Sequence, residues 1–230
     1  MNDNQNEAPK VETTFEKTPD KKQSPKDFIK ETVYIIVLSL IIVLPIRAYI
    51  AQPYIVDGAS MNNTFQNGNY LIVNEISYKF NPPQRGQVIV LKAPPAALAL
   101  QKEATTSNVD YIKRIIGLPG DTVLINGDQV TIVNAANPNG EVLNEPYIYI
   151  DNSLGDSPFS NLKETITLKA GQYFVMGDNR HNSSDSRLWG ILPQANIIGD
   201  VAFRLFPFNE IAKDPGQNVS YQSSATSSIK

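Results

Sequence analysis

The sequence predicts an all-β domain of antiparallel sheets behind a single N-terminal transmembrane helix. Three observations carry that prediction. An uncharged, strongly apolar run extends from Val33 to Ile46. From Tyr54 onward the chain breaks into short β-branched or aromatic runs separated by Gly, Pro and Asn, which is the pattern of strands and turns. Outside the apolar run, no segment places apolar residues at helical spacing. At 230 residues the chain can bury a real core, as one domain or one domain with a small lobe.

Residues 1–30 are rich in Asn, Lys, Glu, Pro and Thr and poor in large apolar side chains. Such a stretch buries too little surface to offset its ordering entropy and reads as a disordered tail. The anchor is assigned to 31–51, where a helix rising about 1.5 Å per residue reaches bilayer-spanning length. Pro45 and Arg47 stand near one end, where a kink is tolerated and arginine snorkels to the headgroups. Lys17, Lys21, Lys22, Lys26 and Lys30 precede the run, whereas 51–70 has no Lys or Arg. The positive-inside rule therefore puts the N-terminus in the cytoplasm and the rest outside. A cleaved signal peptide is the rival reading; Arg47 and Tyr49 spoil the small-x-small cleavage site before Gln52.

The β domain is bounded at 52–213, with a smaller lobe at about 122–170 and a flexible tail at 214–230. Its strand candidates are "YLIVNEISY", "QVIVLKA", "VDYIKRIIG", "DTVLING", "QVTIV", "ETITLKA", "QYFVMG" and "DVAFRLF". "INGDQV", 125–130, reads as a tight hairpin with Asn-Gly at its tip. The Ala/Pro-rich insertion 93–108 reads as a mobile loop, with "PPAALAL" as an alternative bilayer contact.

Composition narrows the chemistry. There is no cysteine and one histidine, His181, which excludes thiol chemistry and a poly-imidazole zinc site. The net charge of −3 gives no basic footprint for nucleic acid. No metal or other cofactor is expected.

Three polar constellations remain: "GASM" around Ser60, "YIKRIIGLPGD" at 111–121, and "MGDNRHNSSDSRLWG" at 176–190. Strand alternation puts Tyr111, Lys113 and Ile115 on one face and Ile112, Arg114 and Ile116 on the other. A lysine on a buried face loses its charge readily, and a neutral amine is a general base. The same residue at an exposed edge is an ordinary charge. The third block is equally consistent with a polar loop held by Asp–Arg hydrogen bonds.

In register, "SMNNT", "RGQVIVL", "KRIIGLPGD" and "GDNRHNSSDSRLWG" behind one membrane span resemble the type I signal peptidases. The single span and short chain are closer to the Gram-positive and cyanobacterial style than to the two-span enterobacterial one. The resemblance covers most of Ala51–Asn209. It implies a signal-peptidase-like β fold and a membrane-bound serine endopeptidase that removes signal peptides from secretory preproteins at Ala-x-Ala sites. Its partners would be those peptides and the lipid bilayer. It implies Ser60 as nucleophile and Lys113 as general base. Arg114 would pair with Asp178, Ser183 would orient the lysine amine, and Asp185 with Arg187 would support it. The Ser60 amide and the main chain of Gly58 would form the oxyanion hole, glycine having no hydroxyl to offer. Tyr54, Val56, Met61, Phe65, Tyr111 and Ile112 would line the substrate pockets.

The sequence departs from the family pattern at Asn63 (usually Pro), Gln87 (usually an acid) and His181 (usually an acid or Asn). Two other readings stand beside this one. A Ser60–His181–Asp185 triad would use the histidine as base. A catalytically impaired, membrane-tethered relative would bind exported peptides without cutting them.

Overall fold

The computed structural model describes residues 25–49, 51–100, 109–150, 153 and 155–216. Its first compact unit ends at Val43 and its second begins at Leu44. The first is dominated by helix α1, Pro25–Tyr49, about 37 Å long at 1.5 Å per residue. The helix therefore takes in residues 25–30, which the sequence reading gave to the disordered tail; residues 1–24 lie outside the described residues. Its apolar side chains from Phe28 to Leu44 are exposed. The side chains of 45–51, the last part of the expected anchor, are not among those described. The remaining apolar stretch, Val33–Leu44, falls short of the roughly 20 residues a span needs. Among the described residues no helix is long and apolar enough to cross a membrane.

The second unit is built almost wholly of antiparallel strands, because runs such as Val88–Lys92 and Tyr70–Asn74 are β-branched and pack on a pleated surface. They are β1 (Ala51–Ile55), β2 (Tyr70–Asn74), β3 (Val88–Lys92), β4 (Asp110–Gly117), β5 (Thr122–Asn126), β6 (Gln129–Val133), β7 (Glu141–Val142), β8 (Lys163–Thr167), β9 (Gln172–Met176), β10 (Leu192–Pro193), β11 (Ile197–Phe206) and β12 (Ala212–Lys213). The large sheet runs β1-β2-β11-β3-β4-β9-β10, with β12 on β11; the small sheet runs β7-β6-β5-β8. All eight expected strands form. The sequence reading passed over β1, an edge strand that carries Pro53 opposite Ile72, a position where the missing N–H costs nothing.

Two details of the expected hairpin and loop differ. Asn126 pairs with Gln129, so the tip is Gly127–Asp128, with φ +62° at Gly127 alone. That is the II′ arrangement, with glycine at the first loop position. Within the Ala/Pro insertion, Pro95–Ala99 forms helix α3 with proline at its start, which suits the fixed proline φ. Ala93 and Ala97 join the core with Trp189 and Leu192. Ala93–Leu100 is therefore packed rather than a loose loop, and 101–108 lie outside the described residues. Two further helices, α2 (Ser77–Phe80) and α4 (Ser186–Trp189), have four residues each, too few to show a helical period.

The two sheets share a core. Ile116, Phe174 and Met176 of the large sheet pack with Val123, Ile125, Val130 and Ile132 of the small one. Gly117 sits at the join: a Cβ there would lie 2.6 Å from Leu168 Cδ1 and 2.7 Å from Val123 Cγ2. The 122–170 lobe is therefore fused to the large sheet through apolar contact.

The C-terminal boundary also shifts. Pro215 is buried, and the Gly216 carbonyl accepts a hydrogen bond from Arg114 Nη1 at 2.5 Å. Residues 214–216 are thus docked rather than part of a flexible tail, and 217–230 lie outside the described residues. Ending the chain at Lys213 strips a buried guanidinium of one acceptor. The expected cost is about 1.5–3 kcal/mol, the range for hydrogen bonds to charged groups, read from urea unfolding. An unchanged midpoint would show that the docked segment contributes nothing.

Candidate active site

Ser60 lies in the turn-rich connection between β1 and β2, and Lys113 lies in β4 between β3 and β9. Lys113 is opposite Ile89 in the register and only 3% exposed. Its Nζ is 2.9 Å from Ser60 Oγ and donates to the Ile112 carbonyl at 2.8 Å. The Tyr111 ring centroid is 5.1 Å away. Burial drives the lysine pKa down to about 8. Asp185 and Asp178 oppose that shift, and Arg187 adds to it. Burial wins because stripping water from an ammonium outweighs attraction to acids already engaged elsewhere.

Residues 177–180, which follow β9, hold the nucleophile loop. The Asn179 amide donates to the Ser60 carbonyl at 3.0 Å, and Asn179 Nδ2 to the Ala59 carbonyl at 3.1 Å. Gly177 is required by the closeness of this approach. A Cβ there would collide with Ser183 Oγ and stand 2.5 Å from the Ser60 carbonyl oxygen.

Around this junction the chain buries three arginines. Arg114 makes a bidentate pair with Asp178 (Nε–Oδ1 2.8 Å, Nη2–Oδ2 2.6 Å) and also donates to the Gly86 carbonyl at 2.7 Å. Thr64 Oγ1 donates to the same carboxylate at 2.5 Å, tying the nucleophile loop to the pair. Arg187 makes a second bidentate pair with Asp185 (2.9 and 2.8 Å). Asp185 also caps α4 and accepts from the Gly177 amide at 3.0 Å. Burial alone would raise the Asp185 pKa, but the Arg187 guanidinium and the Gly177 amide hold it below the usual carboxylate range. Arg180 pairs with Glu145 of the small lobe at 2.5 and 3.0 Å.

The structure thus brings Ser60, Lys113, Arg114, Asp178, Asp185 and Arg187 together, with three differences from expectation. Ser183 is buried beside Gly177, and its hydroxyl acts on the Asp185 carboxylate, helping to hold that pKa down, rather than bonding Lys113 Nζ. The lysine amine is oriented by the Ile112 carbonyl instead. The Gly58 amide donates to Asn67 Oδ1 at 3.0 Å, so the donor expected to help an oxyanion is engaged. The Ser60 amide makes no main-chain hydrogen bond among the described residues. His181 is directed elsewhere: its Nε2 lies 3.8 Å from Asp128 Oδ2 on the β5–β6 turn. With Asp185 committed to Arg187, the Ser-His-Asp grouping does not assemble.

A cavity of about 210 Å³ opens beside Ser60 and Lys113. Tyr54, Val56, Tyr111 and Ile112 line it as expected; Met61 and Phe65 do not, being buried at 1% and 0% exposure in the core behind it. Side-chain direction on an irregular loop follows no alternation that could be read in advance. Ile55, Asp57, Leu71, Val90, Asp110 and Ser184 complete the lining and were missed. Asn179 and Gly177 were missed too, although both stand inside the third polar block. Gln87, at a departure from the family pattern, accepts from the Gln84 amide and the Tyr78 hydroxyl, a local structural role. Among the described residues no group of three or more His, Asp or Glu is placed to hold a metal ion.

The family model for "Signal peptidase, peptidase S26" matches residues 29–206. A probable signal peptidase I-1 from Synechocystis sp. is 40% identical over 184 residues, 80% of this chain and 86% of the relative. A signal peptidase I from Bacillus licheniformis is 34% identical over 204 residues, 87% of this chain and 98% of the relative. The crystal structure of a signal peptidase I from Enterococcus faecalis V583 shares 31% identity, covers 53% of this chain and 97% of that one, and superposes with a TM-score of 0.38.

The Gly177 contact makes a sharp prediction. Gly177→Ala must push the Ser60 carbonyl or Ser183 aside, with an expected stability loss of about 1–3 kcal/mol in urea unfolding. A variant as stable as the parent would show that the two segments are not in contact.

Proposed function

This chain belongs to the S26 signal peptidase family, and on that premise we propose that it cleaves signal peptides from exported preproteins with Ser60 as nucleophile and Lys113 as general base. The observation that carries the reading is the 2.9 Å approach of a buried lysine nitrogen to a serine hydroxyl. An amine held near pKa 8 is about one-tenth neutral at pH 7, enough to act as a base.

The reaction runs in two halves. Neutral Lys113 Nζ takes the Ser60 hydroxyl proton as Oγ attacks the scissile carbonyl, forming the C–O bond and an oxyanion. The Ser60 amide faces that charge. Collapse breaks the C–N bond, and the lysine ammonium hands its proton to the departing amine of the mature chain. A water molecule, deprotonated by the Lys113 amine, then attacks the ester carbonyl, and the lysine ammonium returns the proton to Ser60 Oγ as the C–O bond breaks and the signal peptide leaves with its new carboxylate.

The peptide enters as an extended strand. β4 pairs with β3 from Asp110 to Arg114 but meets β9 only from Arg114 onward, so its first residues offer an open edge next to the cavity. Strand addition supplies main-chain hydrogen bonds, and shallow pockets take alternate side chains. Small side chains suit a cavity of about 210 Å³, in keeping with Ala-x-Ala sites. Segment 31–51, which carries the apolar run from Val33 to Ile46, anchors the chain with its lysine-rich N-terminus in the cytoplasm and the β domain outside. Tethering enzyme and substrate to one membrane raises their effective concentration.

Turnover of a peptide bearing an Ala-x-Ala site should vanish in both Ser60→Ala and Lys113→Ala. Below pH 8, log kcat/KM should climb about one unit per pH unit, because only the deprotonated amine is active, and level off above it. Binding without cleavage by the parent protein would leave the impaired-relative reading standing. A midpoint near pH 6.5, with loss of turnover in His181→Ala alone, would hand the base to histidine.

A further inference from the structure

Each of the three buried arginines around the nucleophile is met by one side chain of the small lobe. Glu145 forks onto Arg180 at 2.5 and 3.0 Å. The Tyr147 ring lies over the Arg114 guanidinium, 3.9 Å from carbon to centroid. The Phe159 ring covers Arg187 at 3.8 Å. The first two come from the sequence "EPYIY", 145–149, which follows the small sheet's edge strand β7. Pro146 fixes φ at the second position of a turn closed by Ile148 N–H to the Glu145 carbonyl at 3.1 Å. The turn brings the Tyr147 hydroxyl to Glu145 Oε1 at 2.7 Å. Beyond it, the Tyr149 amide donates to the Asp178 carbonyl at 2.9 Å, and Tyr149 bridges to Asn179.

We propose that the 145–149 strap is a positioning device for the reaction, acting through Glu145 on the Arg180 end of the 177–180 loop that holds Ser60. The mechanical path is short. Arg180 Nε donates to the Gly177 carbonyl at 3.2 Å, and the Arg180 carbonyl accepts from Arg187 Nη2 at 2.9 Å. Asn179, the neighbouring residue, holds the Ser60 and Ala59 carbonyls. Both members of the Glu145–Arg180 pair are nearly dry, with side chains 4% and 0% exposed. Losing the carboxylate leaves a buried cation without its partner, and the guanidinium must move to find another acceptor. None of the strap residues lines the cavity beside Ser60, so the effect belongs to the chemical step rather than to substrate capture.

The inference rests on the Ser60–Lys113 reading, and its test separates the two. In the full chain, kcat and KM for an Ala-x-Ala peptide are measured for the parent, Ser60→Ala, Glu145→Gln, Arg180→Gln and the Glu145→Gln/Arg180→Gln double variant. Active parent with inactive Ser60→Ala establishes the nucleophile independently of the strap. Glu145→Gln is expected to lower kcat about 10- to 100-fold, the cost of misplacing reacting groups by a fraction of an ångström to an ångström, with KM within about 2-fold. The double variant should be no worse than the poorer single one, because the pair acts as a unit. Tyr147→Phe keeps the ring on Arg114 and removes only the hydroxyl on Glu145. It serves where Glu145→Gln fails to fold, with an expected kcat loss of about 2- to 10-fold. Unchanged kcat in a folded Glu145→Gln or Tyr147→Phe, a change confined to KM, or losses that multiply in the double variant would each overturn the proposal.

Discussion

The structure turns on one dry contact, a lysine nitrogen 2.9 Å from a serine hydroxyl and 3% exposed as a residue. A primary amine held largely from water needs cover. β3 pairs with β4 at Lys113, Tyr111 lies across the lysine nitrogen, and the loop between β1 and β2 meets it, the cavity being the open face. Ser60 belongs to that loop, so the hydroxyl beside the amine is part of the cover that desolvates it. Positioning and pKa are therefore one constraint: a loop that drifts outward lets in water and restores the lysine charge as well as lengthening the hydrogen bond.

That coupling explains why the polar machinery is so heavily tied down. Thr64, just beyond Ser60, is bound to Asp178, which is bound to Arg114, the immediate neighbour of Lys113. Asn179 holds the Ser60 and Ala59 carbonyls. The Gly216 carbonyl, from near the C-terminus, completes the donors of Arg114. A buried guanidinium is costly unless its N–H groups are satisfied. Arg187 turns to Asp185 and the Arg180 carbonyl within its own segment, whereas Arg114 recruits Gly86, Asp178 and Gly216, and Arg180 recruits Glu145. Arg114 and Arg180 thereby fix the relative positions of elements far apart in sequence. The small lobe takes part in the same way, sharing apolar core with the large sheet and a lid of side chains over the arginines.

Much of this was legible in the sequence, and the exceptions share a physical cause. β-branched runs bounded by turn residues announced eight strands because strand preference is local. The four sequence blocks that resemble the signal peptidases pointed to the residues around Ser60 and Lys113 through that resemblance, two of the three polar constellations alone being equally readable as an edge charge and a polar loop. β1 was hidden by Gln52 and Pro53, and the short helices by having barely one turn. Whether Lys113 was buried or on an edge depended on what packs across β4, which alternation within one strand does not say. Met61 and Phe65 were placed in the pocket, yet their loop turns them into the core. Glu145, Tyr147 and Phe159 carry no sequence signal toward the arginines they cover; only the tertiary fold of the small lobe brings them there.

Counting charge in the buried cluster shows why the lysine is the group that gives up its proton. Arg114, Arg180 and Arg187 are matched one to one by Asp178, Glu145 and Asp185, each at 2.8 Å or less. Arginine keeps its proton near neutral pH, and the Arg187 guanidinium holds Asp185 below the usual carboxylate range. Lys113 is in none of these ion pairs. With its amine neutral the buried pairs balance; with it charged, the site holds one cation more than its anions. The acids still attract the ammonium, but each does so as one end of a tight dipole whose other end repels it, as Arg187 does. Burial lowers the lysine pKa, and Arg187 offsets part of the pull of Asp185 and Asp178 on the ammonium, so loosening the Arg187–Asp185 pair would feed back on the lysine.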